Sequence, residues 1–137
     1  MTALYTWGDA TAGALGHERY DDITREPRRL INSKKYQQVS CGEGYSLAVD
    51  HAGHMFGWGT GPSVFDSKAP FPIPTEKMVK KVFAGSKHAA CIDVDGDMYT
   101  WGTDSAGWFK GGGRMGHANK EKEIQQPKYV LLVIHPL

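Results

Sequence analysis

The chain has almost no cysteine, no long apolar run and no charge bias, and each shortage narrows what it does. Two cysteines stand among 137 residues. The N-terminus, Met1-Thr-Ala-Leu-Tyr5, has no basic segment leading into an apolar stretch, so the thiols read as reduced in an intracellular protein, cytoplasmic or nuclear. The longest apolar run, Tyr129 to Ile134, falls far short of the ~20 residues that cross a bilayer, and no membrane contact is expected. Sixteen basic residues against fifteen acidic ones leave a formal net charge of +1, which supplies no field for nucleic acid or anionic lipid. Long amphipathic helices are missing too. The best helical stretch, Glu76 to Phe83, carries a single turn of pattern.

What the chain does have is repetition. An aromatic, one residue, then Trp-Gly occurs three times: Tyr5-Thr-Trp7-Gly8, Phe56-Gly-Trp58-Gly59 and Tyr99-Thr-Trp101-Gly102, with Trp spacings of 51 and 43 residues. A shift of 43 lays Val39–Gly59 on Val82–Gly102 with seven identities in 21 positions, among them Gly42/Gly85, Asp50/Asp93, Gly53/Gly96 and Trp58/Trp101. A shift of 94 lays Ala12-Gly13 on Ala106-Gly107. The offset then becomes 100, with Leu15-Gly16-His17 on Met115-Gly116-His117 and Pro27 on Pro127. The third copy therefore carries an insertion within Trp108-Phe-Lys-Gly-Gly-Gly-Arg114. Repeats of this length are stacked supersecondary units, none able to bury its apolar face alone.

Each copy reads as short strands. Tyr45–Asp50, a turn at 51–54 and Met55–Trp58 make strand, turn, strand; His88–Asp93, Val94–Asp97 and Met98–Trp101 repeat it. Asp95-Gly96 suits a two-residue hairpin turn. The small residues Ala48, Ala89, Ala90 and Cys91 suggest close backbone approach, and Gly42 and Gly85 sit at bends where a Cβ would clash. The fold class is all-β. Trp7, Trp58 and Trp101, being repeat-equivalent, are expected to pack within the repeats, together with the structural glycines Gly8, Gly42, Gly59, Gly85 and Gly102.

A Gly-rich bend, a strand, a Gly turn, an aromatic-x-Trp-Gly strand, then Gly-x-Leu-Gly-His and a Pro together resemble the regulator of chromosome condensation repeat. Val39-Ser-Cys-Gly42 through Trp58-Gly59 and Trp7-Gly8 through Ala12-Gly13-Ala-Leu15-Gly16-His17 carry the match, which runs from about Leu4 to Val130. The resemblance implies blades of four-stranded antiparallel sheet from a seven-bladed β-propeller. About two and a half repeats fit in this chain (approximately 4–55, 56–98 and 99–137), so it reads as one partial propeller domain, 1–137, an incomplete ring. Open blade edges predict self-association or cover by another chain. The copies depart from the pattern in places. His-Ser after the bend becomes Tyr45-Ser46 in one copy and His88-Ala89 in the other, and Thr60-Gly-Pro-Ser-Val-Phe65 replaces Gly-x-Leu-Gly.

Reactive chemistry finds little footing. The Gly-Trp-Arg-His-Thr motif of the family's ultraviolet photoreceptor is absent; the Gly-Trp pairs continue as Gly57-Trp-Gly-Thr60 and Gly107-Trp-Phe-Lys110. Asp93-Val-Asp95-Gly-Asp97 resembles the opening of a calcium loop, but its Gly falls at position 4 rather than 6, between strands rather than helices. His51 and His54 flank a turn without a second ligand pair, and Cys41 and Cys91 align with alanines, as small core positions. His17 and His117 share a loop site that implies a structural hydrogen bond. Gly111-Gly-Gly-Arg114 lacks the P-loop lysine. The doublets Arg28-Arg29, Lys34-Lys35 and Lys80-Lys81 read as solvated surface. No catalytic residue, metal ligand or cofactor is expected.

The remaining surface candidate is the insertion, where Trp108, Phe109, Lys110 and Arg114 combine aromatics and cations on a Gly-flexed loop, a composition suited to binding a protein partner. The chain therefore reads as a protein-interaction scaffold and not an enzyme. Two alternatives follow from the resemblance. One is guanine-nucleotide exchange on a Ran-type small GTPase, with chromatin association but little direct nucleic-acid contact. The other is a propeller segment of a larger ubiquitin ligase or ciliary protein.

Overall fold

A computed structural model describes residues 3–17, 23–30, 34–61, 66–103 and 123–130, and every structural statement below refers to these. β1 (Tyr5–Asp9) and β2 (Ile23–Arg29) form a two-stranded antiparallel sheet. A four-stranded meander follows, made of β3 (Tyr36–Cys41), β4 (Tyr45–Asp50), β5 (Met55–Thr60) and β6 (Asp66–Ile73). A second meander contains β7 (Val79–Ala84), β8 (His88–Asp93), β9 (Met98–Thr103) and β10 (Glu123–Tyr129). No described residue is helical; strand β7, Val79–Ala84, takes up the second half of the best helical stretch of the sequence.

Pairing register explains the residue types. Ser46 lies opposite Trp58 and Ala48 opposite Phe56; in the next sheet Ala89 lies opposite Trp101 and Cys91 opposite Tyr99. A small side chain beside each large ring leaves room for the ring to cover the strand, which is the cross-strand unit of sheet stability. Prolines gather on the outer strands: Pro27 in β2, Pro70 and Pro72 in β6, Pro127 in β10. Each of these strands ends its sheet, where a missing N–H costs no ladder bond and discourages further pairing.

The turns answer one expectation with a correction. Asp93 N–H donates to the Asp97 carbonyl at 2.9 Å, closing a three-residue loop over Val94, Asp95 and Gly96 rather than a two-residue turn. The Asp93 carboxylate decides this, because it accepts from the backbone N–H groups of both Asp95 and Asp97 at 2.9 Å. Gly96 takes the left-handed position at φ +87°, and Gly53 matches it in the preceding copy at the same angle.

The core lies between sheets rather than within one. Tyr45, Leu47, Val49, Met55, Val79, Val82, Ala89, Cys91 and Trp101 form one buried cluster where the two meanders meet. Leu30, Tyr36, Ala48, Phe56 and Trp58 form another between the first meander and the two-stranded sheet. β4 is buried on both faces as a result. The repeat frame and the sheet frame differ by half a unit: residues 56–98 take β5 and β6 from one sheet and β7 and β8 from the next. The middle repeat thus spans two blades, and the contacts between these blades are built into it.

Candidate interaction surface

Two sets of clasps hold successive blades. The Gln38 side chain forms a fork on β7: its amide nitrogen donates to the Val82 carbonyl at 2.8 Å and its oxygen accepts from Val82 N–H at 2.9 Å. Two residues on, Ser40 Oγ accepts from Ala84 N–H at 2.9 Å. The inner edge of β7, which no strand pairs, is thereby satisfied by side chains. The Tyr45 hydroxyl lies 2.7 Å from the Gly85 carbonyl oxygen and 2.9 Å from that of His88. Burial pushes this phenol up to about 12, so it stays a donor throughout the physiological range.

The other clasp belongs to the loop after β1. The Ala14 carbonyl accepts from Trp58 Nε1 at 2.7 Å and from Ser46 Oγ at 2.9 Å. Gly16 presses on the same indole, for a Cβ there would lie 3.0 Å from Nε1. His17 has the structural bond expected of it: Thr6 Oγ1 donates to Leu15 O at 2.7 Å and shares a hydrogen bond with His17 Nε2 at 3.0 Å. Partial burial and the nearby Arg28 charge lower the His17 pKa and keep it neutral. His117, the counterpart, lies outside the described residues.

Repeat equivalence does not extend to burial. Trp58 and Trp101 are each 1% exposed, whereas Trp7 is 57% exposed. The expectation that all three pack within blades is corrected for Trp7: the strands that cover Trp58 and Trp101 are β4 and β8, and β1 has no such neighbour. Cys41 is corrected on the same ground. It is exposed, not a core position, while Cys91 is buried, and burial with the Asp93 charge beside it pushes its thiol up to about 12. Gly8, Gly59 and Gly102 share positive φ after their Trp (115°, 90° and 123°). A Cβ on Gly42 would overlap the Tyr45 ring and the Gly85 carbonyl, and one on Gly85 would approach the His88 ring at 2.8 Å.

The exposed positions converge. A groove of about 740 Å³ runs between β1 and the first meander, lined among others by Tyr5, Trp7, Val39, Cys41, Tyr45 and Ser46. The insertion residues Trp108, Phe109, Lys110 and Arg114 lie outside the described residues, as does most of the replaced loop at 60–65.

The triple-aspartate turn resolves into an internal ion pair. Asp93, Asp95 and Asp97 cluster closely enough to hold a cation, but the Lys77 ammonium already sits there, 2.9 Å from Asp95 and 3.2 Å from Asp97. Hydrogen bonds to those two carboxylates raise the Lys77 pKa. At Asp93, burial raises the pKa, yet the Asp97 and Asp95 N–H groups, the Lys77 charge and the Tyr99 hydroxyl outweigh it, and the net shift is downward. Asp50 follows suit: burial raises it, and the His54 N–H, side chain and charge, with the Ala52 N–H, lower it further.

Carboxylates with depressed native pKa add stability that is complete above their unfolded value near about 3.9 and lost as pH falls through the native value. Urea titrations should therefore show the unfolding midpoint falling steadily below about pH 4. Asp93→Asn should flatten that decline relative to the parent chain. A profile unchanged by the substitution would remove Asp93 from the account.

Short blades hung on aromatic-x-Trp-Gly strands, each sheet clasped by side chains of its neighbour, define an open β-propeller segment. The regulator of chromosome condensation (RCC1) repeat matches residues 3–49, and a second RCC1 repeat profile matches residues 79–107. The chain belongs to the regulator of chromosome condensation repeat family. It superposes on human WBSCR16 with a TM-score of 0.81 at 25% identity, covering 95% of this chain and 35% of that one. On Prp20p of Saccharomyces cerevisiae the TM-score is 0.77 at 20% identity, covering 95% and 34%. Among curated proteins, human probable E3 ubiquitin-protein ligase HERC6 is 34% identical over 58 residues, which is 41% of this chain and 6% of that protein. Serine/threonine-protein kinase Nek8 of Danio rerio is 37% identical over 60 residues, 42% and 8% respectively. The chain thus spans about a third of the solved propellers and under a tenth of these relatives.

Sequence reasoning missed Gln38, Ser40 and the Ala14 carbonyl. Their one visible signal is disagreement between copies, since Lys81 and Phe83 stand where Gln38 and Ser40 would repeat.

Proposed function

We propose that this chain acts as a protein-interaction segment of a propeller, presenting loops and open sheet edges rather than performing chemistry of its own. The observation that carries the reading is the uncovered side of β1, where Trp7 stands exposed beside a groove of about 740 Å³. Large apolar side chains left beside an unpaired strand are a composition for binding proteins. The likeness to segments of HERC6 and Nek8 supports a role as the docking part of a larger protein.

The loop at 108–114 belongs to the same reading as a second contact surface. Replacing Trp108 and Phe109 together by Ala should lower capture of a protein partner by roughly tenfold or more, the scale of lost aromatic anchors, while leaving the unfolding midpoint in place. Capture at parental level would take the loop out of the surface.

Exchange on a Ran-type GTPase with chromatin association is the second reading, favoured by the fold likeness to Prp20p, a protein described with binding to Gsp1p and histones. A nucleotide-release assay with a Ran-type GTPase separates it from simple docking.

A further inference from the structure

The two meanders are entered through equivalent linkers. Lys34-Lys35 precedes β3, and Lys77-Met78 precedes β7 at the same shift of 43 residues. The backbone repeats with them: His51 N–H donates to the Lys35 carbonyl at 3.1 Å, and Val94 N–H to the Met78 carbonyl at 3.0 Å. The neighbouring hairpins also close alike, with Asp50 N–H on the His54 carbonyl and Asp93 N–H on the Asp97 carbonyl.

The side chains on this common frame differ. In the second meander Lys77 meets Asp95 at 2.9 Å and Asp97 at 3.2 Å, and the Tyr99 hydroxyl lies 3.3 Å from Asp93. In the first, Ala52 and His54 stand where Asp95 and Asp97 would repeat, and Phe56 stands in place of Tyr99. Lys34 lies over the Phe56 ring, its ammonium 5.3 Å from the centroid. The acid of this hairpin, Asp50, is buried and already accepts from the His54 N–H at 2.8 Å.

A groove of about 420 Å³ opens at this place, lined by buried Phe56 and by exposed Lys34, His54, Pro72 and Pro74. It shares no lining residue with the groove beside Trp7. Glu76 and Lys77 line it as well; Lys77 is committed to its aspartates, and Glu76 opposes a run of incoming acids. One carboxylate suits the balance. An ammonium donates three hydrogen bonds, so a carboxylate adds to the ring contact of Lys34 without displacing it.

We propose that this groove docks a peptide segment of a partner protein in which one Asp or Glu adjoins a large apolar residue. The carboxylate meets Lys34 beside the His54 ring, as Asp97 meets Lys77, and the apolar side chain lies along Phe56 and Pro72. The second meander supplies the pattern within its own chain, where Asp97 adjoins Met98. The first meander has the lysine and the aromatic but takes the acid from outside. This goes beyond the interaction reading above, because it uses neither Trp7 nor the loop at 108–114.

The probe is the short peptide acetyl-Gly-Asp-Phe-Gly-amide, titrated into the isotope-labelled full chain and followed by NMR. Amide shifts should appear at Lys34, His54 and Phe56, with none at Trp7 or Trp101. The same peptide with Asn in place of Asp should bind about tenfold or more weakly, the scale of a lost charged hydrogen bond. Ala52→Asp with His54→Asp gives the first hairpin the acids of the second. That double variant should fill the site from within and weaken peptide binding about tenfold, with no fall in the urea midpoint. Lys34→Gln, which keeps the stem and removes the charge, should weaken binding equally and carries the test should the double variant not fold.

Three results overturn the proposal: no shifts with the Asp peptide, equal affinity for the Asn peptide, or undiminished affinity in a folded variant. The capture experiment at Trp108 and Phe109 is independent of these outcomes, so either reading can fail alone.

Discussion

Replacing Trp58 by Ala is expected to remove about 3–5 kcal/mol of folding free energy, while Trp7→Ala removes under about 1 kcal/mol. The two residues occupy the same place in the repeat, so the contrast measures what their surroundings contribute. Trp58 is buried between the two-stranded sheet and the first meander, with the Tyr36 ring 6.3 Å away and its indole N–H on the Ala14 carbonyl. That carbonyl keeps the Ser46 hydroxyl after the substitution, so most of the cost is the cavity. Against a total stability of about 5–15 kcal/mol, the loss takes a large share. Urea unfolding followed by far-ultraviolet circular dichroism measures both variants, and equal effects would contradict the exposure of Trp7.

Gly42→Ala should cost about 3 kcal/mol, at the upper end of overpacking penalties. The new methyl group has nowhere to go: it overlaps the Tyr45 ring on one side and the Gly85 carbonyl on the other. Those two groups bond to each other across the blade boundary, so relieving the clash breaks the Tyr45 clasp as well. Gly96→Ala is the control. Its φ is +87° but no atom stands within 4 Å of the added carbon, leaving only the backbone strain of about 1 kcal/mol. The same unfolding experiment reads both, and a cost at Gly42 no greater than at Gly96 would refute the close approach.

The repeat, the all-β class and the strand positions were legible because each copy restates them: a bend Gly, alternating small residues and a Trp-Gly end. Burial was not, since it belongs to the neighbour. Trp7 shares its strand sequence with Trp101 but lacks the β8 that covers Trp101, and Cys41 faces the same vacancy. The clasp at Gln38 and Ser40 was hidden for a different reason. Its partners lie 44 residues on, and the residues depart from the repeat instead of joining it. The turn at Asp93 was misjudged by one residue because Asp95-Gly96 suits two-residue and three-residue loops alike; the carboxylate two residues earlier, accepting two N–H groups, selects the longer one. In the candidate surface, the loop at 108–114 was visible as a disagreement between copies. The groove beside Trp7 was visible only in three dimensions.

Amide exchange along the three equivalent strands of the dilute chain alone is the measurement that bears most directly on the open propeller edge. The structure predicts near-unprotected exchange at Tyr5 and Trp7, with strong protection at Phe56 and Trp58 in β5 and at Tyr99 and Trp101 in β9. Equal protection at all three strands would contradict it, for it would mean that the free side of β1 is already covered.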